Sequence, residues 1–158
     1  MTGVAAPALA GHQFLRGMPA HHLAYLAGVT SLVTVPAGQR LFDAGGVAHH
    51  FWLIRAGQVD VDMLAPGAGR VVIQAIGRGE MLGVSWFIPP FQWQFGAVTG
   101  QPTELFEFDA AAVRGRCDTD PGFGWEFTRR MIVVVARRLQ ATRTQLLEGF
   151  TGRDARDQ

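Results

Sequence analysis

Leu41-Phe42-Asp43-Ala44-Gly45 leads through Phe51-Trp52-Leu53-Ile54 to Gly57-Gln58-Val59. Apolar runs rich in aromatic and β-branched residues, separated by glycine-bearing turns, read as antiparallel strands. The same texture extends from Ser31 to Asp109. Upstream, Leu32-Val33-Thr34-Val35 ends at Pro36-Ala37-Gly38. Downstream, Val59-Asp60-Val61-Asp62-Met63 alternates and ends at Pro66-Gly67, and Val71-Val72-Ile73 runs to Gly77 and Gly79. Segments 95–99 and 105–108 close the series. Strands recurring every ~8–12 residues with turn signals between them predict a barrel or sandwich.

The flanks are helical. Phe14, Leu15, Leu23, Tyr25 and Leu26 predict one or two short helices over 12–28, with Pro19 early in the second. Residues 1–11 read as a loose tail. Asp109 is a candidate cap for a short helix through Cys117, and Asp120-Pro121 marks the start of a longer one reaching about 150. Along it Ile132, Val135, Leu139, Thr142 and Leu146 fall at alternating spacings of three and four, a seam suited to a second helix. Val133, Val134 and Ala136 widen the apolar surface, and Arg130, Arg137 and Arg138 fall off the seam. Two readings stay open: a helix packed only on its own barrel, and one that also dimerises. Residues 151–158 are polar and read as a second tail.

The 158 residues suit one domain, and 48% hydrophobic with 17% charged residues fits a globular chain. A net charge of +1 gives no global field for nucleic acid, although all 14 basic residues are arginine. The single Cys117 permits no internal disulfide and fits a reducing cytoplasm. No signal peptide is expected, because Met1 to Gly11 lacks a basic start and contains Pro7, and the apolar run Met131 to Ala136 is far short of a membrane span.

In order and spacing these segments resemble the cyclic-nucleotide-binding domain of the catabolite activator protein family, of the Crp/Fnr type, over about 12–150. The turn Gly77-Arg78-Gly79-Glu80-Met81-Leu82-Gly83 is similar to the approach to the family's phosphate-binding cassette, and Ala136-Arg137-Arg138-Leu139-Gln140-Ala141-Thr142 to its long dimerisation helix. The resemblance implies an eight-stranded antiparallel β-roll (about 30–109) of jelly-roll type, with short N-terminal helices and, over about 110–150, C-terminal helices that end in a long one. It also implies a homodimer through that helix.

In the family the cassette opens with Gly-Glu and reaches an Arg 11 residues after the Gly. The Arg pairs with the cyclic phosphate and the Glu accepts from the ribose hydroxyl. Here Gly83 keeps the glycine, Val84 stands at the Glu position, Gln94 at the Arg position, and Phe95 replaces the small hydroxyl residue that follows. Glu80 lies three residues too early. Losing one charge-assisted contact costs about 1.5–3 kcal/mol, a tenfold to hundredfold loss of affinity. Tight binding of cyclic AMP or cyclic GMP is therefore not expected. Thr142 keeps one of two positions that reach adenine in some activators. Arg143 takes the other, either as a solvated residue or as a replacement phosphate anchor.

Ser85-Trp86-Phe87-Ile88-Pro89-Pro90-Phe91-Gln92-Trp93-Gln94-Phe95 is aromatic and stiffened by two prolines. Either these rings enclose an apolar cavity for a neutral small ligand, or they fill it themselves and leave a scaffold. The ligand-pocket candidates are Gly83, Val84, Ser85, Trp86, Trp93, Gln94, Phe95, Thr142 and Arg143.

Other chemistry finds little support. His21-His22 and His49-His50 show no metal-ligand spacing, one cysteine cannot hold the usual iron–sulfur cluster, and no haem is expected. Asp60 and Asp62 alternate on a strand and read as a solvated face. No nucleophile–base pair or phosphate loop appears, so no enzyme is expected. The sequence ends at Gln158 with no reading helix for DNA beyond the long helix, so no sequence-specific DNA contact is expected. The expectation is a stand-alone regulatory domain with a degenerate cassette, acting through protein contact or an unconventional ligand. Alternatives are a genuine cyclic-nucleotide sensor with a non-standard anchor, and a partner subunit of a transcriptional regulator.

Overall fold

The computed structural model describes residues 2–156. A two-residue strand β1 (Thr2–Gly3) pairs with the edge of β2 (Thr30–Val35). Strands β3 (Arg40–Phe42), β4 (His50–Ala56), β5 (Gln58–Ala65), β6 (Gly69–Gly77), β7 (Met81–Leu82), β8 (Gly96–Thr99) and β9 (Thr103–Asp109) follow. One antiparallel sheet has the order β1-β2-β9-β4-β7, the other β3-β8-β5-β6. The expected eight-stranded roll is present as β2 to β9, with β1 as an added edge.

Strand β4 explains how the core is built. Phe51, Trp52, Leu53 and Ile54 are all buried, so the strand is covered on both faces. Phe51 stacks on Phe108 of β9 at 4.7 Å between centroids, and Trp52 stacks on Phe42 of the opposite sheet at 5.6 Å. Burying each such side chain stabilises the fold by about 1.5–3 kcal/mol.

Helices α1 (Ala6–Ala10) and α2 (Ala20–Gly28) precede the roll, with one turn of 3₁₀ helix over Gln13–Leu15 between them. Residues 1–11, expected to be loose, instead carry β1 and α1, because Leu9 is fully buried against the core. Met1 lies outside the described residues. Pro19 sits at the cap just before α2 rather than inside it. His12 ties this segment to β4: its Nε2 is 3.0 Å from the Ile54 carbonyl and its Nδ1 accepts from the Phe14 amide.

After the roll, α3 (Ala110–Thr119) begins where the Asp109 carboxylate accepts from the Ala112 amide at 3.0 Å. Helix α4 (Pro121–Asp154) begins where Asp120 accepts from the Phe123 amide at 3.2 Å. Both caps match the sequence expectation. Phe123, Phe127 and Met131 plant the first turns of α4 in the core. The helix continues past the expected end at 150 into the segment read as a tail, of which 157–158 lie outside the described residues. No described helix is long and apolar enough to cross a membrane.

Asp62 departs from the sequence reading. It is buried and paired with Arg40, Oδ2 to Nη2 at 2.6 Å, with Arg70 at 3.6 Å. The β5–β6 register shifts between Val61 and Asp62, skipping Ile73, and this bulge breaks the simple alternation. Asp60 remains partly exposed and accepts from the Gln58 side chain.

Candidate functional site

The segment from Gly83 to Phe95 crosses between the sheets and faces the middle of α4. Its path is pinned from below. The Gly45 amide donates to the Trp93 carbonyl at 2.7 Å, the Trp93 amide donates to Gly46 at 2.8 Å, and the Ala48 amide donates to Phe91 at 2.8 Å. Arg114 of α3 holds the other side, donating to the Trp86 carbonyl at 2.7 Å with its guanidinium 4.1 Å from the Phe91 ring centroid.

These anchors sort the aromatics. Trp86 sits on the single turn Ser85–Phe87, turns into the core and stacks on Phe51 at 3.8 Å. It does not line the cavity, which corrects its place among the pocket candidates; the Phe51 and Phe127 rings offer it a better-filled site. Trp93 turns the other way. It stacks on Phe42 at 3.9 Å and lies over Gly83, whose φ of +90° and missing Cβ make room for the indole.

Between this loop, β6 and α4 lies a pocket of about 730 Å³, within the ~300–1,000 Å³ typical of small-molecule sites. Gly83, Val84, Ser85, Trp93, Gln94, Phe95 and Thr142 all line it. Gln94 is exposed, and its amide donates back to the Gln92 carbonyl at 3.3 Å. The Thr142 hydroxyl donates to the Arg138 carbonyl one turn earlier. Arg143 is exposed and not among the lining residues, because it projects from a different face of α4 than Thr142. Glu80 closes its own turn by accepting from the Gly77 amide at 2.7 Å.

Arg138 is the residue the sequence reading missed. Placed off the seam, it instead reaches from α4 into the pocket and donates to the Met81 carbonyl. Burial pushes its guanidinium below the ordinary value, opposed by the Glu80 charge. The signal was available: Arg138 precedes Thr142 by four residues and so shares its helix face. Arg138 also lines a second cleft of about 380 Å³ with Arg16, Arg129, Arg130 and Arg137. Among the described residues no cluster of His, Cys, Asp and Glu could hold a metal ion.

Ile132, Val135, Leu139, Thr142 and Leu146 are exposed in the single chain, with Ile132 and Leu146 each at 63%. Leu147 and Phe150 extend the apolar surface.

A β-roll closed by a long helix, with a pocket between them, defines the architecture. The cyclic nucleotide-binding domain model matches residues 32–120, and the chain belongs to that family. A cyclic nucleotide-binding protein of Geobacter metallireducens GS-15 shares the fold with TM-score 0.78 and 18% identity, over 86% of this chain and 98% of that one. The catabolite activator protein of Thermus thermophilus aligns with TM-score 0.66 and 18% identity, over 85% of this chain and 61% of that one. The sensor domain of the transcriptional regulator DNR from Pseudomonas aeruginosa aligns with TM-score 0.62 and 17% identity, over 89% of each chain. No curated protein matches the chain. The family is usually regulatory rather than catalytic.

Proposed function

We propose that this chain is a regulatory domain whose cassette no longer serves a cyclic nucleotide and whose pocket answers to a different small ligand, with α4 as the output surface. One observation carries the reading: the Trp93 indole lies against Gly83, at the position where the family resemblance puts the phosphate cradle. Val84 and Gln94 add the loss of the acid and the cation on the same loop. The apolar strip exposed along α4 gives the domain a surface through which a second chain or another protein docks. Coupling of the pocket to that surface requires a ligand that binds two states of α4 unequally.

A second reading has one observation in its favour. Arg138 supplies a cation to the pocket from α4, so a cyclic phosphate has a non-standard anchor available. Calorimetric titration with cyclic AMP and cyclic GMP at low salt separates the two. No heat up to millimolar nucleotide is the expected result. Micromolar binding that disappears in Arg138→Met establishes the nucleotide sensor instead.

A further inference from the structure

We propose that the pocket takes a small ligand with an apolar body and a single carboxylate, and that Arg138 holds the carboxylate. The inference rests on reading this pocket as a ligand site and adds the class of ligand. Among the residues lining the pocket, Arg138 alone is ionisable. Most of the others are apolar, among them Val61, Ile76, Leu82, Trp93 and Leu139, and the remaining polar ones are neutral amides and hydroxyls.

The charge count sets the class. A guanidinium carries five donors in a planar fork that matches a carboxylate. The Arg138 side chain makes one hydrogen bond, to the Met81 carbonyl, and no ion pair among the described residues. Glu80 acts on this cation only through its charge, its carboxylate accepting from the Gly77 amide instead, so the half-buried guanidinium is left short of compensation and an anionic head group supplies it. One cation matches one negative charge; a polyanion would bring uncompensated charge against apolar walls. A neutral apolar molecule would fill the walls and leave the guanidinium unanswered. The neutral ligand suggested by the loop sequence is thus revised by a residue that the loop does not contain.

Calorimetric titration with octanoate and with octan-1-ol tests this, since the two share a body and differ in the head group. Octanoate should bind at least about tenfold more tightly than the alcohol. Arg138→Met should abolish that preference, and Arg138→Lys should retain part of it. Because Arg138→Met also removes the bond to Met81, Leu139→Trp serves as a second variant; it narrows the pocket while keeping the cation, and both probes should be lost. Equal binding of acid and alcohol, or a preference that survives in Arg138→Met, overturns the proposal and leaves the pocket a ligand site. Failure of both probes to bind at millimolar concentration overturns the proposal together with the ligand-site reading beneath it.

Discussion

Trp93 occupies the space that a side chain at Gly83 would need: a Cβ at position 83 would stand 2.6 Å from Cζ3 of the indole. Gly83→Ala therefore meets two penalties. The φ of +90° is strained for any residue with a Cβ, at about 1–3 kcal/mol, and the indole must also leave its stack on Phe42. We expect a clear fall in melting temperature and a changed near-ultraviolet dichroism of the aromatic stack. A variant that melts like the parent with an unchanged aromatic spectrum would show that the two residues are not in contact.

Gly96 holds a comparable place beside the buried ion pair. A Cβ there would stand 2.5 Å from Asp62 Oδ1 and 2.6 Å from Arg40 Nη1. Gly96→Ala should drive the pair apart and cost about 1–3 kcal/mol in urea unfolding. Combined with Asp62→Asn the cost should be less than additive, because the second change removes what the first disturbs. Strict additivity in that double-mutant cycle argues against the coupling.

The α4 seam makes a prediction about mass. Ile132→Glu with Leu146→Glu places like charges on two exposed seam positions 14 residues apart and leaves the roll untouched. Light scattering should give a two-chain mass for the parent and a one-chain mass for the double variant, with little change in melting temperature. A parent that is already a single chain at high protein concentration removes the dimer from the output mechanism.

Acid sensitivity should come in two stages. Burial holds His12 below the ordinary imidazole value, and the bond to the Ile54 carbonyl opposes it only in part. His22 is lowered as well, by burial and by His21. Protonation of either group favours the unfolded chain, so stability is full above about pH 6.5 and falls as pH drops below it. Asp62 is held below the ordinary carboxylate range by its hydrogen bond to Arg40, so its contribution is present above about pH 4 and is lost as pH falls further. His12→Gln should flatten the slope of unfolding free energy between pH 7 and 5, and Asp62→Asn the slope below 4. An unchanged slope in His12→Gln refutes the first stage.

The roll was legible because its signals are local. Alternation in Val59 to Met63, the glycine turns, and the caps at Asp109 and Asp120 each act within a few residues. Helix α1 was not legible, since its alanine-rich stretch has no periodicity of its own and becomes ordered only when Leu9 finds the core. Asp62 escaped because its burial depends on a bulge, a property of strand pairing rather than of one strand. That Val84 and Gln94 stand where the family resemblance expects an acid and an arginine could be read from the sequence directly. Which aromatic would fill the core and which would line the pocket was not, because Trp86 and Trp93 differ only in the partners that Phe51 and Phe42 supply across the fold. Arg138 was overlooked because α4 was read toward a partner helix, while this residue faces the roll.

The sorting of the tryptophans has a practical consequence. Trp52 donates to Glu107, Trp86 is sealed in the core, and Trp125 is exposed near the start of α4. Only Trp93 among the four lines the pocket. The protein thus carries a built-in optical gauge: a molecule entering the pocket changes the surroundings of Trp93 and, through the Trp52 ring stacked 6.0 Å from it, of one neighbour, while Trp86 and Trp125 stand as internal references and occupancy can be followed by emission without any label.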